Sequence, residues 1–332
     1  MRVNTFTRNN LSIGLLFIPM AIYATYWGLR PVNVGTDTPA YIGMFLAYLR
    51  QDPILVSSID KGFLGLIAFS YLFSKNPQSL LLIVCLLEAI CFYLAGVILL
   101  RRPFYIFLYV VFLLLSPFYL SININILRHG MAIAVALLGM SLVFQLRKPV
   151  YKLILACPPV LFHNVAGLLA APIFIGINRI NMVYIWLTLA TFSMFSPAYS
   201  SFVSQYFDGR YLNYVTSETT YRTGFRPDFT FFSSLPIFLL LIVPFRKMSI
   251  ETRWVLNAYL LVSGLGLTMN FVAFSDRFLV NSWVMLPLLF ALVVRDINSG
   301  VFKKRVNKQF FTFIVVLGIL LINLVFYLRL AS

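Results

Sequence analysis

Long apolar runs separated by short polar knots set the pattern of this chain. The runs fall near 11–28, 62–74, 78–100, 103–121, 129–146, 151–177, 181–197, 230–245, 254–272, 277–295 and 309–328. A helix needs roughly 20 apolar residues to cross a bilayer core. The ten-residue alternating segments of an outer-membrane barrel are absent from the sequence. The expected fold class is all-α, a polytopic integral membrane protein of about 11 (roughly 10–12) transmembrane or re-entrant helices.

Two runs are awkward as simple spans. The 62–74 stretch is short. The 151–177 stretch contains Pro158-Pro159 and then His163-Asn164, which predicts two short helices broken near the middle. Such breaks are tolerated at membrane depth where they line a cavity. Charge arbitrates between topologies. Let the N-terminus be cytoplasmic, 62–74 not cross, and 151–177 enter and return. The cytoplasmic side then holds most of the 26 Lys and Arg residues, among them Arg101, Arg102, Arg147 and Lys148, as the positive-inside bias requires. Letting both runs cross once moves those residues to the other side. In the favoured arrangement every polar knot faces the non-cytoplasmic side.

The chain is expected to form one membrane domain over 1–332, with polar non-cytoplasmic loops near 29–60 and 198–229. Both loops are too short for a core of their own. Arg2 and Arg8 ahead of the run Leu11–Trp27 look like the start of a signal peptide. No small-residue cleavage site follows, so a retained first helix is expected.

Composition agrees with a membrane protein. The chain is 61% hydrophobic and 11% charged, where a soluble domain averages about 25% charged residues. The net charge of +16 invites a nucleic-acid reading. The basic residues are dispersed among short loops, without a basic platform or a recognition motif, so no nucleic-acid partner is expected. Membrane lipids, a lipid-linked phosphate and the positive-inside bias account for the excess. Cys85, Cys91 and Cys157 lie in apolar runs without metal-ligand spacing, and the two histidines show no HExxH spacing. No metal and no cofactor is therefore expected. No phosphate-binding glycine loop, dinucleotide fingerprint or nucleophile elbow occurs, which argues against nucleotide hydrolysis.

Candidate chemistry sits in the knots. Asp37, in Gly35-Thr36-Asp37-Thr38-Pro39, reads as a helix cap, and a capping carboxylate can also receive a proton. Asn125, Arg128 and His129 have helical spacing that predicts one shared face. A guanidinium there suits an anion, because it binds phosphate bidentately and stays charged. His163, an ionisable residue inside an apolar run, is a functional candidate by default and suits a general base near neutral pH. The loop from Gln205 to Asp228 mixes Arg210, Arg222, Arg226 and Asp228 with Tyr211 and other tyrosines. Aromatic faces stack on sugar rings and charged groups bond hydroxyls. Asp276 and Arg277 open the run 277–295. Glu88 lies inside the run 78–100 and is not assigned to the site.

At these residues the chain resembles the Wzy-type O-antigen polymerases, in the branch that shares a pattern with the EpsG exopolysaccharide proteins. The marks are Gly35-Thr-Asp37-x-x-x-Tyr41, Asn125-x-x-Arg128-x-x-x-Ala132, Phe162-His163, Arg222-x-x-x-Arg226-Pro-Asp228-Phe, and Asp276-Arg277. One departure is His129, where relatives often carry glutamine. The resemblance implies a GT-C-like membrane fold in the bacterial inner membrane, with the active site facing the periplasm. It also implies a reaction. Oligosaccharide repeat units held on undecaprenyl diphosphate are joined when a sugar hydroxyl of one unit attacks the anomeric carbon of the growing chain, and the lipid diphosphate leaves. On this reading His163, Asp37 and Arg128 are catalytic, with His163 the first choice of base. Asn125, His129, Arg210, Tyr211, Arg222, Arg226, Asp228, Asp276 and Arg277 bind substrate. A chain-length regulator protein is the implied partner.

The rival readings are a lipid-linked oligosaccharide flippase or other transporter, the ligase that moves finished polymer to lipid A core, and a membrane acyltransferase with a catalytic histidine. A transporter lines a whole pathway with polar groups, whereas here they gather at one side.

Overall fold

A computed structural model describes residues 11–146, 149–174, 182–205 and 223–301. All regular structure among them is helical. The helices are α1 (Ile18–Gly28), α2 (Thr38–Leu49), α3 (Pro53–Ser57), α4 (Lys61–Phe73), α5 (Gln78–Leu100), α6 (Pro103–Leu114), α7 (Pro117–Ile124), α8 (Leu127–Val143) and α9 (Pro149–Phe162). A 3-10 segment, Asn164–Leu169, follows. Next come α10 (Ala170–Phe174), α11 (Val183–Ser193), α12 (Ser196–Ser204), α13 (Pro227–Ile242), α14 (Ile250–Thr268), α15 (Asp276–Trp283) and α16 (Leu286–Asp296). The run at 309–328 lies outside the described residues.

Among the described residues, Leu11–Gly28, Gln78–Leu100 and Asp276–Ser299 are long and apolar enough to cross a membrane. Several other runs break into shorter helices, and the breaks have local causes. The run 103–121 bends by 64° between α6 and α7, where Ser116 is extended and Pro117 starts the next helix. The run 151–177 breaks at His163, the extended residue between α9 and the 3-10 segment. Pro158 and Pro159 stay inside α9, and α10 packs back against α9. The run is thus two helical pieces broken near its middle, as the sequence predicts. Helix α4, with 13 residues, extends about 20 Å, short of the roughly 30 Å apolar thickness of a bilayer.

Helix α5 packs against α1 and α8, and α8 against α9. A second group joins α11, α14 and α15, while α16 lies on α6. Close approach depends on small residues: a Cβ on Gly28 would lie 2.7 Å from Leu82 Cα, and one on Gly139 would lie 2.9 Å from Leu155 O. Gly, Ala and Ser at such contacts let apolar helices gain dispersion contacts where lipid offers no hydrophobic driving force.

The two ends of α5, about 34 Å apart, carry different chemistry. At the Gln78 end, Gln78 Nε2 donates to Gly28 O and Arg30 O at 2.7 and 3.0 Å, next to the first polar knot. At the Leu100 end, Arg295 donates to Leu99 O and Ser249 Oγ and pairs with Glu251 and Asp296. Arg101 and Arg102 share that second end. The first polar knot thus lies at the end of α5 opposite Arg101 and Arg102.

Candidate functional site

The site grows from a helix break. Helix α7 ends at Ile124 with Asn125 as its C-cap, and Ile126 (φ −120°, ψ 50°) is non-helical before α8 begins at Leu127. This corrects the expectation that Asn125, Arg128 and His129 share one helix face, because the break removes the spacing that put them there. A helix end leaves carbonyls without intrahelical partners, and at membrane depth the protein must satisfy them. The first loop does so. Arg30, only 3% exposed, donates to Ile124 O at 2.9 Å, Thr38 Oγ1 at 3.1 Å and Trp27 O at 2.7 Å. The Tyr41 hydroxyl donates to Asn125 O at 3.1 Å, and Thr36 N–H donates to Asn125 Oδ1 at 3.0 Å. Gly35 makes the approach possible. Its φ is +92°, and a Cβ there would meet Ile124 O at 2.7 Å, so the position excludes side chains on both counts.

Three aspartates start helices in this region, and they behave differently. Asp52 caps α3, accepting from Ile54 N–H and Leu55 N–H at 3.0 and 3.2 Å. Asp37 and Asp60 stand at the N-cap positions of α2 and α4 but make no side-chain cap hydrogen bond. An aspartate cap contributes about 1 kcal/mol. Both carboxylates forgo it and face arginines on other helices. Asp60 Oδ2 lies 3.1 Å from Arg128 Nη1 on α8, and Asp37 Oδ2 lies 3.6 Å from Arg277 Nη2 on α15. Arg128 Nε is buried without a partner among the described residues. Arg277 lies over the ring of Phe274 at 5.1 Å. Phe274 has φ +60°, a conformation that bulky residues rarely take. Both guanidinium groups lie within electrostatic reach of the Tyr41 hydroxyl and the His163 ring.

The two histidines meet. Their rings stack at 4.8 Å and 25°. Asn281 fixes the tautomer of His129: its amide nitrogen donates to Arg277 O and Phe278 O, which turns Oδ1 toward His129 Nε2 at 2.9 Å. Oδ1 only accepts, so His129 Nε2 carries a proton. His163 caps the 3-10 segment, its Nδ1 accepting from Val165 N–H at 3.2 Å. The neutral His163 ring therefore carries its proton on Nε2 and presents a donor there.

At the start of α13, Arg226 grips Asp228 through two hydrogen bonds of 3.0 and 2.7 Å and stacks over Phe229 at 3.8 Å. The guanidinium hydrogen bonds hold the Asp228 carboxyl below the usual carboxylate range. Gly224 N–H donates to Asn270 O at 2.9 Å, tying this strand of chain to the turn before α15. Asp276 Oδ1, close by, is buried without a partner among the described residues.

The fold thus brings Asp37, Asn125, Arg128, His129, His163 and Arg277 into one constellation, with Arg226, Asp228 and Asp276 beside it. Arg210, Tyr211 and Arg222 lie outside the described residues. Sequence reasoning passes over Asp60, Arg30 and Asn281. Asp60 sits beside Lys61 at a helix start and looks like a solvated cap. Arg30 is one basic residue at the end of the first apolar run. Asn281 does carry a signal, an amide one turn beyond Arg277 inside an apolar run. Neither a curated protein nor a solved structure matches the chain significantly. The model of the EpsG family matches residues 13–331, and with nearly its whole length covered the protein belongs to that family, which is associated with exopolysaccharide biosynthesis.

Proposed function

We propose that the protein polymerises lipid-linked oligosaccharide repeat units. It acts as a glycosyltransferase of the O-antigen polymerase kind at the periplasmic face of the bacterial inner membrane and releases undecaprenyl diphosphate. The observation that carries this reading is the pair Arg128 and Arg277. Two guanidinium groups from separate helices stand half-exposed at the polar end of an apolar bundle, beside carboxylates and imidazoles. Family membership, with its association with exopolysaccharide biosynthesis, supports a saccharide substrate, and the positive-inside bias supports the orientation.

The chemistry divides among these groups. A diphosphate leaving group gathers negative charge as the anomeric C–O bond breaks. Preorganised cations where charge develops are usually the largest catalytic contribution, which is the role of Arg128 and Arg277. The acceptor hydroxyl must lose its proton to a base within hydrogen-bond reach. With Nδ1 of His163 engaged by Val165 and Nε2 protonated, Asp37 is the better base. His163 Nε2–H then donates to the departing diphosphate or to the donor sugar. Arg226, Asp228 and Asp276 face the saccharide. The substrate arrives activated, so no nucleotide is consumed.

The test is a gel ladder from purified protein in detergent, supplied with lipid-diphosphate-linked repeat units and no nucleotide. Wild type is expected to build the ladder, and Arg128→Ala and Asp37→Asn to lose it. Folded wild type that binds the units without joining them overturns the polymerase reading and favours a flippase.

A further inference from the structure

We propose that Asp60 and Asp37 are displaceable placeholders, occupying Arg128 and Arg277 until a diphosphate takes their seats. The inference rests on the proposed substrate for the identity of the natural ligand, while the exchange itself is read from the geometry. Asp52 shows that an aspartate at a helix start in this region can cap normally. Asp60 and Asp37 are turned away from their own helix ends to meet cations across the site.

The pairs they make are loose. Between the described partners each pair makes one contact, at 3.1 or 3.6 Å, whereas Arg226 and Asp228 form a two-pronged fork at 3.0 and 2.7 Å. The four side chains keep 27–36% of their surface exposed. Screened single-contact pairs of this kind hold weakly. Arg128 keeps a buried Nε–H in reserve. A diphosphate brings more charge and more acceptor oxygens than one carboxylate, and guanidinium binds it through parallel hydrogen bonds. Exchange releases two carboxylates at the moment the donor is seated. Asp37 is then free to take the acceptor proton, so the base is exposed only when a leaving group is in place. Asp60 acts through Arg128 and is a positioning residue.

The experiment measures binding by calorimetry on the full chain in detergent, with inorganic pyrophosphate, geranyl diphosphate and inorganic phosphate as probes. Asp60→Asn removes a competitor for Arg128, so Kd for pyrophosphate is expected to fall about two- to fivefold. Asp60→Glu keeps the charge and is expected to match wild type, while Arg128→Ala loses binding. Asp37→Asn asks the same of Arg277 and serves if Asp60→Asn does not fold. Equal tightening toward pyrophosphate and geranyl diphosphate, with little toward inorganic phosphate, supports exchange by the diphosphate group. Tightening toward inorganic phosphate alone overturns it in favour of a lipid-headgroup site. Weakened or unchanged binding in both folded asparagine variants overturns it as well, because a merely structural pair does not compete with ligand. No turnover is needed, so the result stands apart from the fate of the polymerase reading.

Discussion

His163 stacks on His129 at 4.8 Å, and each ring has its proton placed by a different neighbour, Val165 for one and Asn281 for the other. The pair joins the break after α9 to the first turn of α8 and, through Asn281, to α15. Truncating Asn281 leaves the buried His129 Nε2–H without an acceptor. Asn281→Ala is expected to lower stability by about 1–3 kcal/mol, read by thermal unfolding in detergent. His129→Phe combined with Asn281→Leu removes both partners and is expected to recover most of the loss. His129→Gln keeps a donor and should stay near wild type.

Asp37 and Asp52 separate chemistry from capping. Asp52→Ala is expected to cost about 1 kcal/mol of stability while leaving the ladder intact. Asp37→Asn is expected to do the reverse, with an unchanged melting temperature and turnover slowed roughly 10²–10⁴-fold, the range for loss of a positioned base. Initial rates on lipid-linked units, set beside melting curves, distinguish the two.

Gly35→Ala meets two obstacles at once, a left-handed backbone and a carbonyl at 2.7 Å. The loop must lift from Ile124, so Arg30 and Thr36 lose their acceptors together. A loss above about 1 kcal/mol is expected, along with loss of turnover. The same measurements on Gly43→Ala, where the space is open, give the control.

The Arg226–Asp228 fork predicts a pH dependence with a definite sign. The folded-state carboxyl is depressed, so its stabilisation is fully present above the unfolded aspartate range, about 3.9. It disappears as pH falls further, through the folded value. The melting difference between wild type and Asp228→Asn is expected to stay constant from pH 7 to about 5 and to vanish only below about 3.9. Its size should be at most about 1 kcal/mol for a pair this exposed.

Much of this was legible in the sequence because membrane burial makes polar residues conspicuous. The knots at 35–38, 125–129, 163–164 and 275–277 stand out against apolar runs, and the described structure brings them into contact with one another. The break around His163 was legible too. Its position was less so, since Pro158 and Pro159 are absorbed into α9 and the chain breaks after Phe162. The break at Ile126 was hidden: nothing in Asn-Ile-Leu-Arg departs from helical pattern, and tertiary bonds from Arg30, Tyr41 and Thr36 stabilise it. Asp60 was hidden for a similar reason. Its partner lies 68 residues away, and a one-dimensional pattern weights neighbours.

The stitched break also sets an order of assembly. Arg30 finds its acceptor at Ile124, 94 residues later in the chain. At synthesis rates of about 5–20 residues per second, that separation corresponds to roughly 5–20 s. Through that interval the first loop has left the ribosome while its binding seat has not been made. Helix α1 therefore enters the bilayer with the loop that follows it unfastened, and the loop bearing Asp37 closes only when α7 and α8 arrive. The first loop is thus fastened from the middle of the chain rather than from its beginning, and the constellation is complete only when α15 brings Arg277 to Asp37 and Asn281 to His129.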